Sequence, residues 1–92
     1  MIKVLNLNYQ IIEKNIIDND DNVLGRINYV EQVIYIKSCL TEEHKKIVLL
    51  HEILHSILQQ LGFDEEHDNE HLIDSLSTSI YQVLHDNKTT FS

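Results

Sequence analysis

The sequence predicts an α+β fold. A small antiparallel or mixed β-sheet from residues 1–37 packs on two antiparallel helices, residues 42–61 and 70–85, and a polar tail covers 86–92. Three observations carry this expectation. β-branched and aromatic residues gather in the first third, apolar residues recur at helical period from Glu42 onward, and the two periodic stretches are joined by a short connection that makes them an antiparallel pair. With 92 residues, the chain is expected to form one domain with a single modest core.

From Ile2 to Glu13 the alternation of Leu5, Leu7, Tyr9 and Ile11 predicts one or two strands with a turn near Asn6 to Asn8, and a short helix over Tyr9 to Ile17 competes. Asp18-Asn19-Asp20-Asp21-Asn22 is a run of turn formers and reads as a loop. Asp18, Asp20 and Asn22 repeat the first three ligand positions of a calcium loop. The pattern then fails, because Val23 stands where Gly is required and Tyr29 where the bidentate Glu belongs. Leu24 to Lys37 reads as a hairpin turning around Val30-Glu31-Gln32. Its second arm, Val33-Ile34-Tyr35-Ile36, is apolar on both faces, as a strand in the middle of a sheet would be.

Thr41 is a good N-cap, and Glu42 and Glu43 fill the first turn where the helix dipole favours acids. Ile47, Leu50, Leu54, Ile57, Leu58 and Leu61 keep helical period, and Gly62 with Phe63 ends the helix. An acidic loop, Asp64 to Asn69, leads to the second helix, whose stripe is Leu72, Ile73, Leu76, Ile80, Val83 and Leu84. The small Ser75, Ser77 and Ser79 allow close approach of a neighbour.

The formal net charge is −8, with seven scattered Lys and Arg. That balance argues against a nucleic-acid backbone or an anionic membrane surface as partner, and a cation fits better. Cys39 has no partner for a bridge, no apolar run resembles a secretory signal, and no segment has the ~20 apolar residues of a membrane span. A cytoplasmic protein is expected.

The chemistry-bearing stretch is His51-Glu52-Ile53-Leu54-His55. On a helix the two imidazoles lie ~40° apart at the edge of the apolar arc, so both rings can reach one ion. Two neutral imidazoles and a third protein ligand leave zinc (Zn2+) one open position for a water whose proton is lost near neutral pH. Glu52, ~100° round from His51, is placed to hold that water and to act as general acid–base.

The third ligand is less determined. A metzincin continuation fails, since Leu58 and Leu61 occupy two positions where Gly and His are needed. The acidic loop and second helix offer Glu70, Asp74, His71 and His67. Measured from the centre of the apolar stripe, Glu70 lies ~100° away, Asp74 ~140° and His71 ~160°. Glu70 is therefore the first choice, Asp74 and His71 follow, and His67 on the loop stays open. His44 shares the histidine face but sits ~10 Å along the axis, too far to share the ion.

These residues resemble the ImmA/IrrE group of HExxH metallopeptidases, in particular the short forms found in phages and prophages. The resemblance runs from about Gly25 to Asn87. It covers Gly25-Arg26-Ile27-Asn28-Tyr29 and Val33-Ile34-Tyr35-Ile36, then Leu49-Leu50-His51-Glu52-Ile53-Leu54-His55, and finally Glu70 through Tyr81-Gln82-Val83-Leu84. It implies a minimal zincin-like core, with zinc held by His51, His55 and Glu70 and with Glu52 catalytic. It also implies a phage-encoded protein of the bacterial host cytoplasm, acting on a protein or peptide, with a repressor-type regulator as the partner suggested by larger members. An extended substrate is expected along the sheet edge near Tyr29 to Ile36, above the helix cleft. The competing reading is a non-enzymatic phage binding module with a structural or vestigial zinc site, closed by a fourth ligand such as His67 or His71. A third is a packing-driven domain without metal.

Overall fold

In the computed structural model, which describes residues 1–92, the first third of the chain forms four strands, and the sheet they build is mixed. They are β1 (Ile2–Val4), β2 (Leu7–Lys14), β3 (Gly25–Asn28) and β4 (Val33–Lys37), in the order β1-β2-β4-β3. β1 pairs antiparallel with β2, and β3 antiparallel with β4. The first hairpin turns at Leu5-Asn6, earlier than expected, with Leu5 at a positive φ of 51°. β2 and β4 run parallel, with Gln10 to Lys14 matched to Val33 to Lys37. That pairing is why no helix forms over Tyr9 to Ile17: the backbone groups a helix would consume are spent on the ladder.

β4 is interior, as its two apolar faces predicted, and β3 is an outer edge. The polar run after β2 is a loop in which Asp18 and Asn19 take positive φ. Asp18 Oδ2 accepts from Arg26 Nη1 at 2.6 Å, which ties the loop to β3.

The helix α1 (Glu42–Leu61) has the boundaries its caps dictate. Thr41 Oγ1 accepts from His44 N at 3.1 Å, and Gly62 adopts the left-handed conformation with φ 81°. The stretch read as an acidic loop instead folds one helical turn, α2 (Asp64–His67). Three acids at the N-terminal end of that turn favour it electrostatically, and His67 N bonds back to Phe63 O at 2.8 Å. α3 (Glu70–Asp86) is capped by Asn69, whose Oδ1 accepts from Leu72 N at 3.0 Å. The polar tail adds one more turn, α4 (Lys88–Phe91), where fraying was expected.

The core joins Val4, Tyr9, Ile34, Ile36 and Val48, with Leu49, Ile53 and Ile57 packed against it. Of the six residues in the apolar stripe expected on α1, only Ile57 belongs to this set. α1 lies between the sheet and α3, so it carries apolar residues on two sides and one stripe centre misplaces the sheet-facing one. α3 shows a related shift. Its buried residues are Ile73 and Ser77, while Leu76, Val83 and Leu84 of the expected stripe are exposed. The face that meets α1 is thus turned about 60° toward Glu70 and Asp74.

A buried polar network locks α1 to the first hairpin. Tyr9 and Ser56 are fully buried, and their hydroxyls lie 2.7 Å apart. Gln60 Nε2 donates to Ser56 Oγ at 3.0 Å and to Val4 O at 2.8 Å. Ser56→Ala is expected to destabilise the fold by about 1–2 kcal/mol, because the Tyr9 hydroxyl loses its buried partner. Tyr9→Phe leaves Ser56 bonded to Gln60 and should cost about half as much. Urea midpoints of the two variants and their double mutant check this; equal costs for both single variants would sink the asymmetry.

Candidate metal centre

The i, i+4 spacing on α1 puts His51 and His55 side by side, ring centroids 4.8 Å apart, with their Nε2 atoms 3.2 Å from each other. α3 runs back past them. Its first turn brings Glu70, whose Oε1 lies 2.9 Å from His55 Nε2 and whose Oε2 lies 3.1 Å from His51 Nε2. The rotation of α3 toward its serines makes this meeting direct, and it also brings in Asp74, one turn further along. Asp74 Oδ1 is 2.8 Å from the other nitrogen of His51, Nδ1.

His67, carried by the unexpected turn α2, faces His55 from the opposite side. Its Nδ1 lies 3.4 Å from His55 Nδ1, and its Nε2 lies 2.9 Å from the Tyr29 hydroxyl. His71, one residue beyond Glu70, is exposed and outside the cluster. His44 stands further along α1, beside Ile47 in the same cleft. Of the candidate residues, His51, His55 and Glu70 therefore converge on one point, Asp74 and His67 meet the far sides of the two imidazoles, and His71 meets neither.

The donor set asks for a cation. Asp74 at His51 Nδ1 draws the imidazole proton to that nitrogen and leaves a lone pair on Nε2, facing a carboxylate that can only accept. The spacings of 2.9 to 3.2 Å among the three groups match the ~3.3 Å edge of a tetrahedron with ~2.0 Å bonds to nitrogen and oxygen. The three residues form a group that can hold a metal ion.

Glu52 lies beside Gly25 of β3, where it is 6% exposed and its Oε2 has no hydrogen-bond partner. Burial chiefly pushes its carboxyl up to about 7, and Glu70 adds to this, while His51 and Arg26 oppose it. Burial likewise lowers His55 and raises the Tyr29 phenol, so the imidazole is kept neutral and the phenol protonated. Two hollows of about 350 and 330 Å³ flank Glu52 and share Val23, Gly25 and Glu52 in their walls. The first is lined also by Ile47, Val48 and Thr78, the second by Arg26, Tyr29 and His67. Together they form a cleft along β3. The edge open to this cleft is β3, not the Tyr29 to Ile36 stretch expected from the sequence, because β4 is closed on both sides.

The sequence offers His67 and Asp74 as ligands to the ion, and their contacts to the far ring nitrogens are not among its readings. A signal for Asp74 is present: Glu70 and Asp74 repeat the i, i+4 spacing of His51 and His55, so two antiparallel helices bring the two pairs together. For His67 no such signal exists, since its place depends on the turn α2.

The sequence matches the Peptidase_M78 family, the IrrE N-terminal-like domain, over residues 5–74. No solved structure matches it significantly. No helix is long and apolar enough to cross a membrane.

Proposed function

Because the chain belongs to the Peptidase_M78, IrrE N-terminal-like family, we propose that it is a zinc-dependent peptidase of protein or peptide substrates, with His51, His55 and Glu70 holding the metal and Glu52 as its general acid–base. The observation that carries this reading is the pairing of a convergent His-His-Glu set with an unpartnered, buried carboxylate one residue along the same helix. Bound at His51, His55 and Glu70, zinc supplies Lewis acidity and an acidified water.

Glu52 supplies the proton traffic. Glu52 accepts a proton from water and returns it to the leaving amine nitrogen, and burial makes its carboxylate a stronger base than an exposed glutamate. Asp74 fixes the orientation of His51 through Nδ1. The peptide lies along β3. Lys37 N donates to Leu24 O at 2.9 Å, so by antiparallel alternation Gly25 and Ile27 turn their N–H and C=O groups to the open side, ready to pair with an added strand. A flexible segment of a repressor-type regulator in the bacterial cytoplasm is the substrate that fits this edge and the family, with the chain as a phage-encoded regulator.

His67 facing His55 Nδ1, and His71 lying apart, favour an open site over one closed by a fourth protein ligand. Glu52→Gln tests the reading. With one zinc per chain, measured by elemental analysis, retained in both proteins, cleavage of a denatured-protein digest should fall at least ~100-fold, followed by mass spectrometry. Equal cleavage by the two proteins, or none by the zinc-loaded parent, ends the assignment.

A further inference from the structure

His51 and His55 are backed differently. Behind His51 stands a carboxylate, the usual arrangement for a ligating imidazole. Behind His55 stands a second imidazole, His67, and behind that the hydroxyl of Tyr29, at 3.4 and 2.9 Å. A carboxylate only accepts. An imidazole and a phenol each donate or accept, so this row can be polarised in either direction.

The direction is decided at His55 Nε2. With Nε2 protonated, the ring donates to Glu70 Oε1 at 2.9 Å. Its Nδ1 is then a lone pair that accepts from His67 Nδ1–H, and His67 Nε2 accepts from the Tyr29 hydroxyl. When Nε2 is occupied by a metal, the one proton of the neutral ring sits on Nδ1. His55 then donates to His67 Nδ1, His67 carries its proton on Nε2 and donates to the Tyr29 oxygen, and the Tyr29 O–H is free to point elsewhere. Its surroundings offer the hollow lined by Glu52, Arg26 and Ile27. No net charge moves. His55 gives its Nε2 proton to solvent, a proton passes from each donor to its neighbour along the row, and Tyr29 recovers one from solvent.

We propose that His67 and Tyr29 form a reversible hydrogen-bond chain behind His55, which secures His55 for metal and turns the Tyr29 hydroxyl into the substrate cleft only when the metal is in place. His67 and Tyr29 are positioning residues in this arrangement. The inference rests on the reading that His51, His55 and Glu70 hold the metal, and it ties an event at the metal to a donor on the far wall of the cleft. A peptide carbonyl in the second hollow would meet that donor in the loaded protein alone.

Nitrogen-15 NMR of the imidazoles reads the chain without activity. In the metal-free protein His67 should be the Nδ1–H tautomer, and addition of one equivalent of Zn2+ should convert it to Nε2–H. In Tyr29→Phe the metal-free preference for Nδ1–H should weaken, because Nε2 loses its donor. His67→Ala should weaken Zn2+ binding ~10–100-fold in competition with a chromophoric chelator. His67→Asn should recover most of that loss, since its side-chain oxygen can accept where Nδ1 did, whereas a merely structural or ligating role of His67 would not be restored by it. An unchanged His67 tautomer on zinc binding, or full affinity in a folded His67→Ala protein, overturns the chain. Failure of the parent to bind zinc instead removes the metal reading, and the Nδ1–H tautomer of metal-free His67 still decides whether the row of bonds exists.

Discussion

Glu52→Gln is expected to gain stability relative to the parent as pH rises, by about 3 kcal/mol between pH 4 and pH 8, when both proteins are unfolded in urea with metal removed by chelator. The folded-state carboxyl is raised from 4.5 to about 7, chiefly by burial. Below pH 4.5 the group is protonated in both states and costs nothing. Between 4.5 and 7 the unfolded chain releases the proton while the folded chain holds it, so ionisation favours unfolding progressively. Above 7 both states are ionised and the penalty levels off. The glutamine of the variant does not titrate, so the difference between the two proteins isolates this one group. Its own burial cost is independent of pH and only offsets the whole curve. The opposite slope, or a difference constant from pH 4 to 8, would mean that Glu52 is not desolvated.

The sign bears on the role proposed for Glu52. A fold that keeps an unpartnered carboxylate at 6% exposure gives up stability that a glutamine would return, and such groups persist where their chemistry is used. Ser56, one turn further along the sheet-facing side of α1, is equally buried yet bonded to Tyr9 and Gln60. Partners were available to the fold on that side of the helix, and Glu52 was left without one.

What could be read from the sequence was what short-range chemistry decides. Thr41 and Gly62 set the ends of α1 through hydrogen bonds within a few residues, and His51, Glu52 and His55 take their relative angles from the helix alone. The parallel pairing of β2 with β4 was not legible, because a loop and the whole of β3 separate the two strands and nothing local to either names the other as partner. Glu70 stands beside the two imidazoles because α3 is turned further than its apolar stripe indicates. Apolar side chains defined the stripe of α3, whereas its contact face is Ile73 and Ser77, a small polar residue that lets the helices close. The same closeness brings in Asp74. His67 is harder still, since its position depends on one turn of helix stabilised by three acids and a bond to Phe63 O.

Gly25→Ala should cost about 1–3 kcal/mol although the residue lies in an ordinary extended strand, because β3 and α1 touch there. A Cβ on Gly25 would overlap Val48 Cγ1 and lie 3.4 Å from Tyr35 O and 3.6 Å from Glu52 Cγ. Val48 is β-branched and buried in the core, so its side chain has one comfortable rotamer and cannot swing aside. Val48→Ala alone should cost about 2 kcal/mol for two lost methyl contacts and the cavity they leave. In the double mutant the new methyl enters the space the old one vacates, and the cost should fall at least about 1 kcal/mol short of the sum. Strict additivity of the urea-derived values would refute the contact. Peptide cleavage should not return with stability. The added methyl stands where the two hollows beside Glu52 meet, and a substrate displaced by about 1 Å from the reacting groups loses on the order of 100-fold in rate. The double mutant thus separates close packing of sheet on helix from the clearance that the proposed function asks for beside β3.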